Sequence, residues 1–157
     1  MIDKTIYPLE EFPKHVASLT PRQWHQVFEF IPQIERTEEF GSYGGGRQIA
    51  PGFVLASYHT SSNLASSFMR TMYSLSLVIN FDWSHWKEGE RMIDSKNFKG
   101  QDTITLLKLL TAIIRNDRFC EGYLDGKFYD GTVLAILKEL KGRVNEEQPS
   151  EKTDSAR

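Results

Sequence analysis

The stretch from Asp102 to Asn116 constrains the fold most. Asp102 stands at an N-cap position, and Leu106, Leu110 and Ile113 follow at helical spacing in an otherwise apolar segment. Such a helix must bury its stripe against other elements, so the chain has to form a packed core. The segment closes in a polar cluster, Arg115, Asn116, Asp117, Arg118, Phe119, Cys120, Glu121, Gly122. Two guanidiniums and two carboxylates at the end of an apolar helix make either a structural lock or a site.

The remaining elements follow from caps and breakers. Thr20, Pro21 and Gln23 form a helix start with a capping box, and Leu19 is placed to staple onto Trp24. Pro32 kinks or ends that helix. Gly41 to Gly52, with Gly44, Gly45, Gly46 and Pro51, reads as a flexible loop, and Phe53 to Tyr58 as a brief extended segment. From Ser61 or Ser62 to about Trp86 there is no Gly or Pro, and Leu64, Phe68, Met72, Leu75, Ile79, Trp83 and Trp86 share one stripe. This spacing predicts the central core helix, or two joined end to end. A last helix begins at Asp130 or Gly131 and stops before Gly142. The expected fold is all-α, a single-domain bundle of about five helices with one short extended segment. Residues 1–18 are an N-terminal extension, 19–142 the helical domain and 143–157 a disordered polar tail.

Composition narrows the function classes. The chain has 157 residues, which suits one domain. A net charge of −2 offers no basic field, which disfavours nucleic acid as a partner. The single cysteine excludes an internal disulfide framework and fits a cytoplasmic setting. No apolar run reaches the roughly 20 residues of a membrane span, and the first 20 residues lack a signal-peptide pattern.

On the stripe from Ser61 to Trp86, Asp82 falls on the apolar face, and Asp117 does the same on the Asp102 helix. Buried carboxylates need partners. Arg70, Arg91, Arg115 and Arg118 are available, which predicts an ion-pair network joining the ends of the two helices. As a lock, the network orients those helices. As a site, it is a small cleft with Trp83 and Trp86 as walls and Arg115 or Arg118 holding an anionic ligand. The candidate ligand-binding residues are therefore Asp82, Trp83, Trp86, Arg115, Asp117, Arg118 and Glu121. Asp82, His85 and Glu88 share a spacing of three, but no second carboxylate–histidine pair accompanies them, so no metal site is expected. No cofactor is implied and no catalytic triad is identifiable. Cys120, beside Phe119, reads as packing volume.

Two stretches, Phe81 to Trp86 and Leu109 to Gly122, resemble a family of small bacterial proteins catalogued as a domain of unknown function. The likeness spans roughly Trp24 to Leu140. It implies a bacterial, single-domain, cytosolic protein and carries over no catalytic residue. The leading functional expectation is a non-enzymatic interaction or regulatory module with a protein partner. A small-molecule binder or enzyme built on the Asp82 and arginine cluster is the alternative, ahead of a nucleic-acid-binding accessory protein. Enzymatic activity and oligomeric state stay open.

Overall fold

The computed structural model describes residues 5–147. Two short helices, α1 (Phe12–Ala17) and α2 (Pro21–Phe28), lead into α3 (Phe30–Arg36). The capping box at Thr20 is present in full, with Gln23 N donating to Thr20 Oγ1 at 3.2 Å and Thr20 N donating to Gln23 Oε1 at 2.9 Å. Leu19 and Trp24 are both buried, as the staple requires. Pro32 does not end the helix. The break falls upstream at Glu29, which leaves Pro32 in the first turn of α3, where its missing N–H would have had no intrahelical acceptor.

The glycine-rich region is ordered, contrary to a flexible loop. It forms a two-tiered antiparallel ribbon from β1 (Ser42–Gly44), β2 (Gln48–Ala50), β3 (Phe53–Val54) and β4 (Tyr58–Thr60), with β1 pairing β4 and β2 pairing β3. Gly45 and Gly46, at φ +75 and +70, make the bend between the tiers, and a Cβ at Gly45 would collide with the Ala56 carbonyl oxygen.

The helix after the ribbon, α4 (Asn63–Ser74), is capped by Ser62, whose hydroxyl accepts from Ala65 N at 2.9 Å. It stops at Ser74 and does not continue to Trp86. Leu77 N donates to Met72 O at 2.8 Å and Ser76 N to Tyr73 O at 3.0 Å, which is the hydrogen-bond pattern of a Schellman stop. The left-handed residue there is Ser76, φ +55, where glycine is usual. Leu77, Val78 and Ile79 then cross the core in a non-helical path, all buried. Ile79 N is satisfied by the buried Thr111 hydroxyl at 3.1 Å, and Asn80 N by Tyr7 O at 2.9 Å.

A 3₁₀ turn (Trp83–His85) precedes α5 (Lys87–Ser95), α6 (Thr103–Asp117), α7 (Tyr123–Tyr129) and α8 (Thr132–Glu147). Asp102 caps α6 by accepting from Thr105 N at 3.1 Å. The central element is α6: Leu106, Leu107, Leu109, Leu110 and Ile113 are fully buried, so its apolar surface extends well round the cylinder. It packs against α5, α7 and α8, and α8 also meets α3. The result is all-α apart from the ribbon, with more and shorter helices than five.

Both ends of the expected domain shift. Phe12 and Val16 of α1 belong to the core, so the N-terminal segment is part of the packed unit. Gly142 lies inside α8. A mid-helix glycine costs about 1 kcal/mol relative to alanine, and the helix continues past it to bury Val144. The remainder of the expected tail, 148–157, and residues 1–4 lie outside the described residues.

Candidate functional site

The end of α4 decides where Asp82 goes. Because the helix stops at Ser74, Asp82 reaches the surface, its side chain 70% exposed. It pairs within its own turn: His85 Nδ1 lies 2.9 Å from Asp82 Oδ2, and Ser84 Oγ donates to Asp82 Oδ1 at 3.0 Å. The hydrogen bonds from Ser84 and then His85 hold the Asp82 carboxyl below its ordinary range. The expected network between Asp82, Asp117 and the arginines is absent among the described residues. Asp117 Oδ1 instead accepts from Leu124 N at 2.9 Å and so satisfies a first-turn amide of α7. Arg115 is half-buried and Arg118 exposed, and neither forms an ion pair among the described residues.

The tryptophan-walled cleft, however, is present. A hollow of about 680 Å³ opens between the 3₁₀ turn, α5 and the end of α6. Trp83 and Trp86 form one wall, with Ser84 between them, and Phe119 and Tyr123 continue it. Phe119 is 76% exposed and stacks on Trp83 at 6.0 Å between ring centroids. Trp86 meets Phe81 edge-on at 5.6 Å, with the Lys108 ammonium 4.3 Å from its centroid. The Trp86 ring lies so close over Gly89 that any Cβ there would overlap it. Gly89 is thus required by packing, at an unremarkable φ.

The floor and opposite wall come from two helix faces. Glu90, Ile93 and Asp94 stand at i, i+3 and i+4 on α5, and Ala112 and Asn116 at i and i+4 on α6. Neither Arg115, Arg118 nor Asp82 lines the hollow, so its charged groups are acidic where a guanidinium was expected. Glu90, Asp94, Asn116, Phe119 and Tyr123 were missed as cleft residues. Glu90 and Asp94 share one face of α5 at i and i+4, but which face of α5 meets α6 is not written in any local residue pattern.

A second constellation anchors the ribbon. Asp125 on α7 and His59 on β4 are both buried, their side chains 3% and 2% exposed, with His59 Nε2 at 2.8 Å from Asp125 Oδ2. Asp125 also accepts from Ser62 N at 2.9 Å and from the Ser62 hydroxyl. Glu121 Oε1 accepts from His59 N at 2.7 Å. Tyr43 leans on the His59 ring at 4.6 Å, and Gly122, φ +82, gives both side chains room. His59 Nδ1 is buried with no hydrogen-bond partner. The serine hydroxyl is spent on Asp125 and on the α4 cap, so this is not a serine nucleophile relay. Cys120, in the same connection, is exposed rather than packed.

A family model described as a family of unknown function, DUF6508, matches residues 19–146. The chain belongs to that family. No curated protein and no solved structure matches the chain. The matched span of the family takes in both the cleft and the ribbon anchor. Among the described residues no helix is long and apolar enough to cross a membrane, and no group of three or more His, Cys, Asp or Glu is gathered to hold a metal ion.

Proposed function

We propose that this protein is a ligand-binding module whose site is the cleft between the 3₁₀ turn, α5 and α6. The observation that carries the reading is the cleft's composition: four aromatic side chains around about 680 Å³, with a small set of convergent polar groups on two rigid helices. That volume and that mixture are those of small-molecule sites generally. Two other hollows, about 260 and 200 Å³, have no aromatic wall of this kind. This reading takes up the small-molecule binder, the alternative to an interaction or regulatory module with a protein partner. Its setting, on this reading, is a bacterial cytoplasm, supported by the family resemblance and the lone cysteine.

The cleft departs from an anionic site. An anion would face Glu90 and Asp94 with neither arginine on the lining. Trp83 and Trp86 report directly on occupancy, because the third tryptophan, Trp24, is buried in the core. A panel of small organic ligands is to be screened by tryptophan emission and thermal unfolding. Saturable emission change, lost in Trp83→Ala and Phe119→Ala variants of unchanged unfolding midpoint, supports the site. Ligands that act equally on those variants sink it.

A protein partner is the second reading, favoured by the outer tier of the ribbon, where Phe53 and Val54 are 67% and 69% exposed. Retention of a co-purifying protein that is lost in Phe53→Ser but kept in Trp83→Ala would favour the ribbon over the cleft.

A further inference from the structure

Resting on the cleft as a ligand site, we infer that its ligand is an organic cation, an alkylammonium or guanidinium group carried on a small apolar body. Charge complementarity is the first support. Glu90 and Asp94, one turn apart on α5, place two carboxylates on the lining, and no Lys, Arg or His lines the hollow. Among the described residues Glu90 has a single ionic neighbour, Lys87 at 3.7 Å in an exposed pair, which is weak and exchangeable. Asp94 has no ion-pair partner among the described residues.

The aromatic wall is the second support, because the π-faces of Trp, Tyr and Phe attract cations and tolerate their alkyl substituents. One of these rings already does so within the protein. The Lys108 ammonium sits 4.3 Å from the Trp86 centroid and 4.9 Å from that of Phe81, outside the cleft lining. That charge opposes a second cation in the neighbourhood, and the two carboxylates outnumber it. The rim stack of Phe119 on Trp83 supplies the exposed platform that Lys108 does not reach. Asn116 and Ser84 add neutral acceptors for N–H or O–H groups on the ligand.

The test uses the full chain and a matched pair of probes: choline, and 3,3-dimethylbutan-1-ol, which has nearly its shape without its charge. Each is titrated against tryptophan emission, beside a panel of neutral and anionic aromatic compounds. The inference expects choline to bind about tenfold more tightly than the neutral alcohol. It also expects the Glu90→Gln/Asp94→Asn variant, whose changes lie on the surface, to lose that preference while keeping its unfolding midpoint. If the alcohol binds as well as choline, or if the preference survives in the double variant, the cation assignment is overturned and the cleft stands as a site for neutral ligands. If an anionic compound alone binds in the cleft, the assignment is overturned in the opposite sense. If no compound of any charge perturbs Trp83 and Trp86, the ligand-site reading falls, and the assignment with it.

Discussion

Replacing Asp125 with alanine tests whether a single carboxylate fastens the ribbon to the helical body. The side chain accepts three hydrogen bonds in a place 3% exposed to solvent, from His59 Nε2, Ser62 N and Ser62 Oγ. Truncation strands all three donors. A buried polar group left unsatisfied costs about 1–3 kcal/mol. Ser62 is only half-buried, so water relieves part of its loss, and the sum is about 3–5 kcal/mol if the ribbon stays docked. It need not stay docked. The described side chains from Ser42 to Tyr58 include none in the buried core, so little besides Asp125, Glu121 and the Tyr43–His59–Gly122 contact opposes its release. Detachment rehydrates the stranded donors and caps the global penalty. Asp125→Ala therefore lowers urea stability by roughly 2–4 kcal/mol and sharply raises amide hydrogen exchange at His59 and Ser62 over that at Leu110. Asp125→Asn, which retains one acceptor oxygen, loses less on both readouts. A shift below about 1 kcal/mol together with unchanged exchange at His59 and Ser62 would refute the anchor.

Gly89→Ala inserts a methyl group into the six-membered ring of Trp86, forcing the ring out of place. Destabilisation of about 1–3 kcal/mol and a red-shifted tryptophan emission are expected, and an unchanged emission spectrum would show that the ring does not lie on this glycine. Gly122→Ala must hold φ near +82 with a Cβ 2.7 Å from the Tyr43 hydroxyl and 3.0 Å from the His59 ring. A loss of about 1–3 kcal/mol, read by denaturant unfolding, is expected, concentrated in ribbon amides by hydrogen exchange. For Asp130, burial raises the carboxyl's pKa, but hydrogen bonds from the Thr132 side chain and backbone, and then Lys127, outweigh it and leave the value lowered. A lowered native value means that the bonded carboxylate stabilises the fold above the ordinary carboxylate range and that this contribution is lost as pH falls through the native value. Asp130→Asn should then lose stability at neutral pH and show a shallower acid dependence between about pH 4 and pH 2, measured by urea unfolding across that window.

The legible parts of the fold were those with local chemistry. The Thr20 capping box, the Ser62 and Asp102 caps and the apolar surface of α6 are each written in a few adjacent residues. The end of α4 was not legible, because Ser76 occupies a left-handed position that normally announces itself as glycine. That one residue displaced Asp82 from the core face to the surface and removed the expected ion-pair network. The ribbon was hidden for a related reason. Its strands are two or three residues long, and its order comes from pairing and from contacts with α7 that are remote in sequence. Trp83 and Trp86 as cleft walls could be anticipated, since they flank one turn. The acidic floor could not, because it required knowing which face of α5 meets α6.

The sequence poses the cluster from Arg115 to Gly122 as either a lock or a site, and the geometry of Asn116 to Asp125 divides the two roles between different residues. Asn116, Phe119 and Tyr123 line the cleft, whereas Asp117, Glu121 and Asp125 bind backbone and ribbon on the other side. The lock therefore fixes the connection that carries one wall of the hollow. Asp117 satisfies the start of α7, Glu121 holds His59 N, and Phe119 lies between them in sequence, exposed and stacked on Trp83. Removing Glu121 leaves every cleft side chain in the sequence but frees the connection on which Phe119 rides. Phe119 contributes its ring only while that connection keeps its shape, so Glu121→Ala weakens a cleft ligand through lost pre-organisation rather than lost contact. A simple contact residue would instead leave ribbon exchange untouched. Faster exchange at the His59 amide accompanying weaker binding distinguishes the two, and binding that is weakened with His59 exchange unchanged would separate the lock from the cleft.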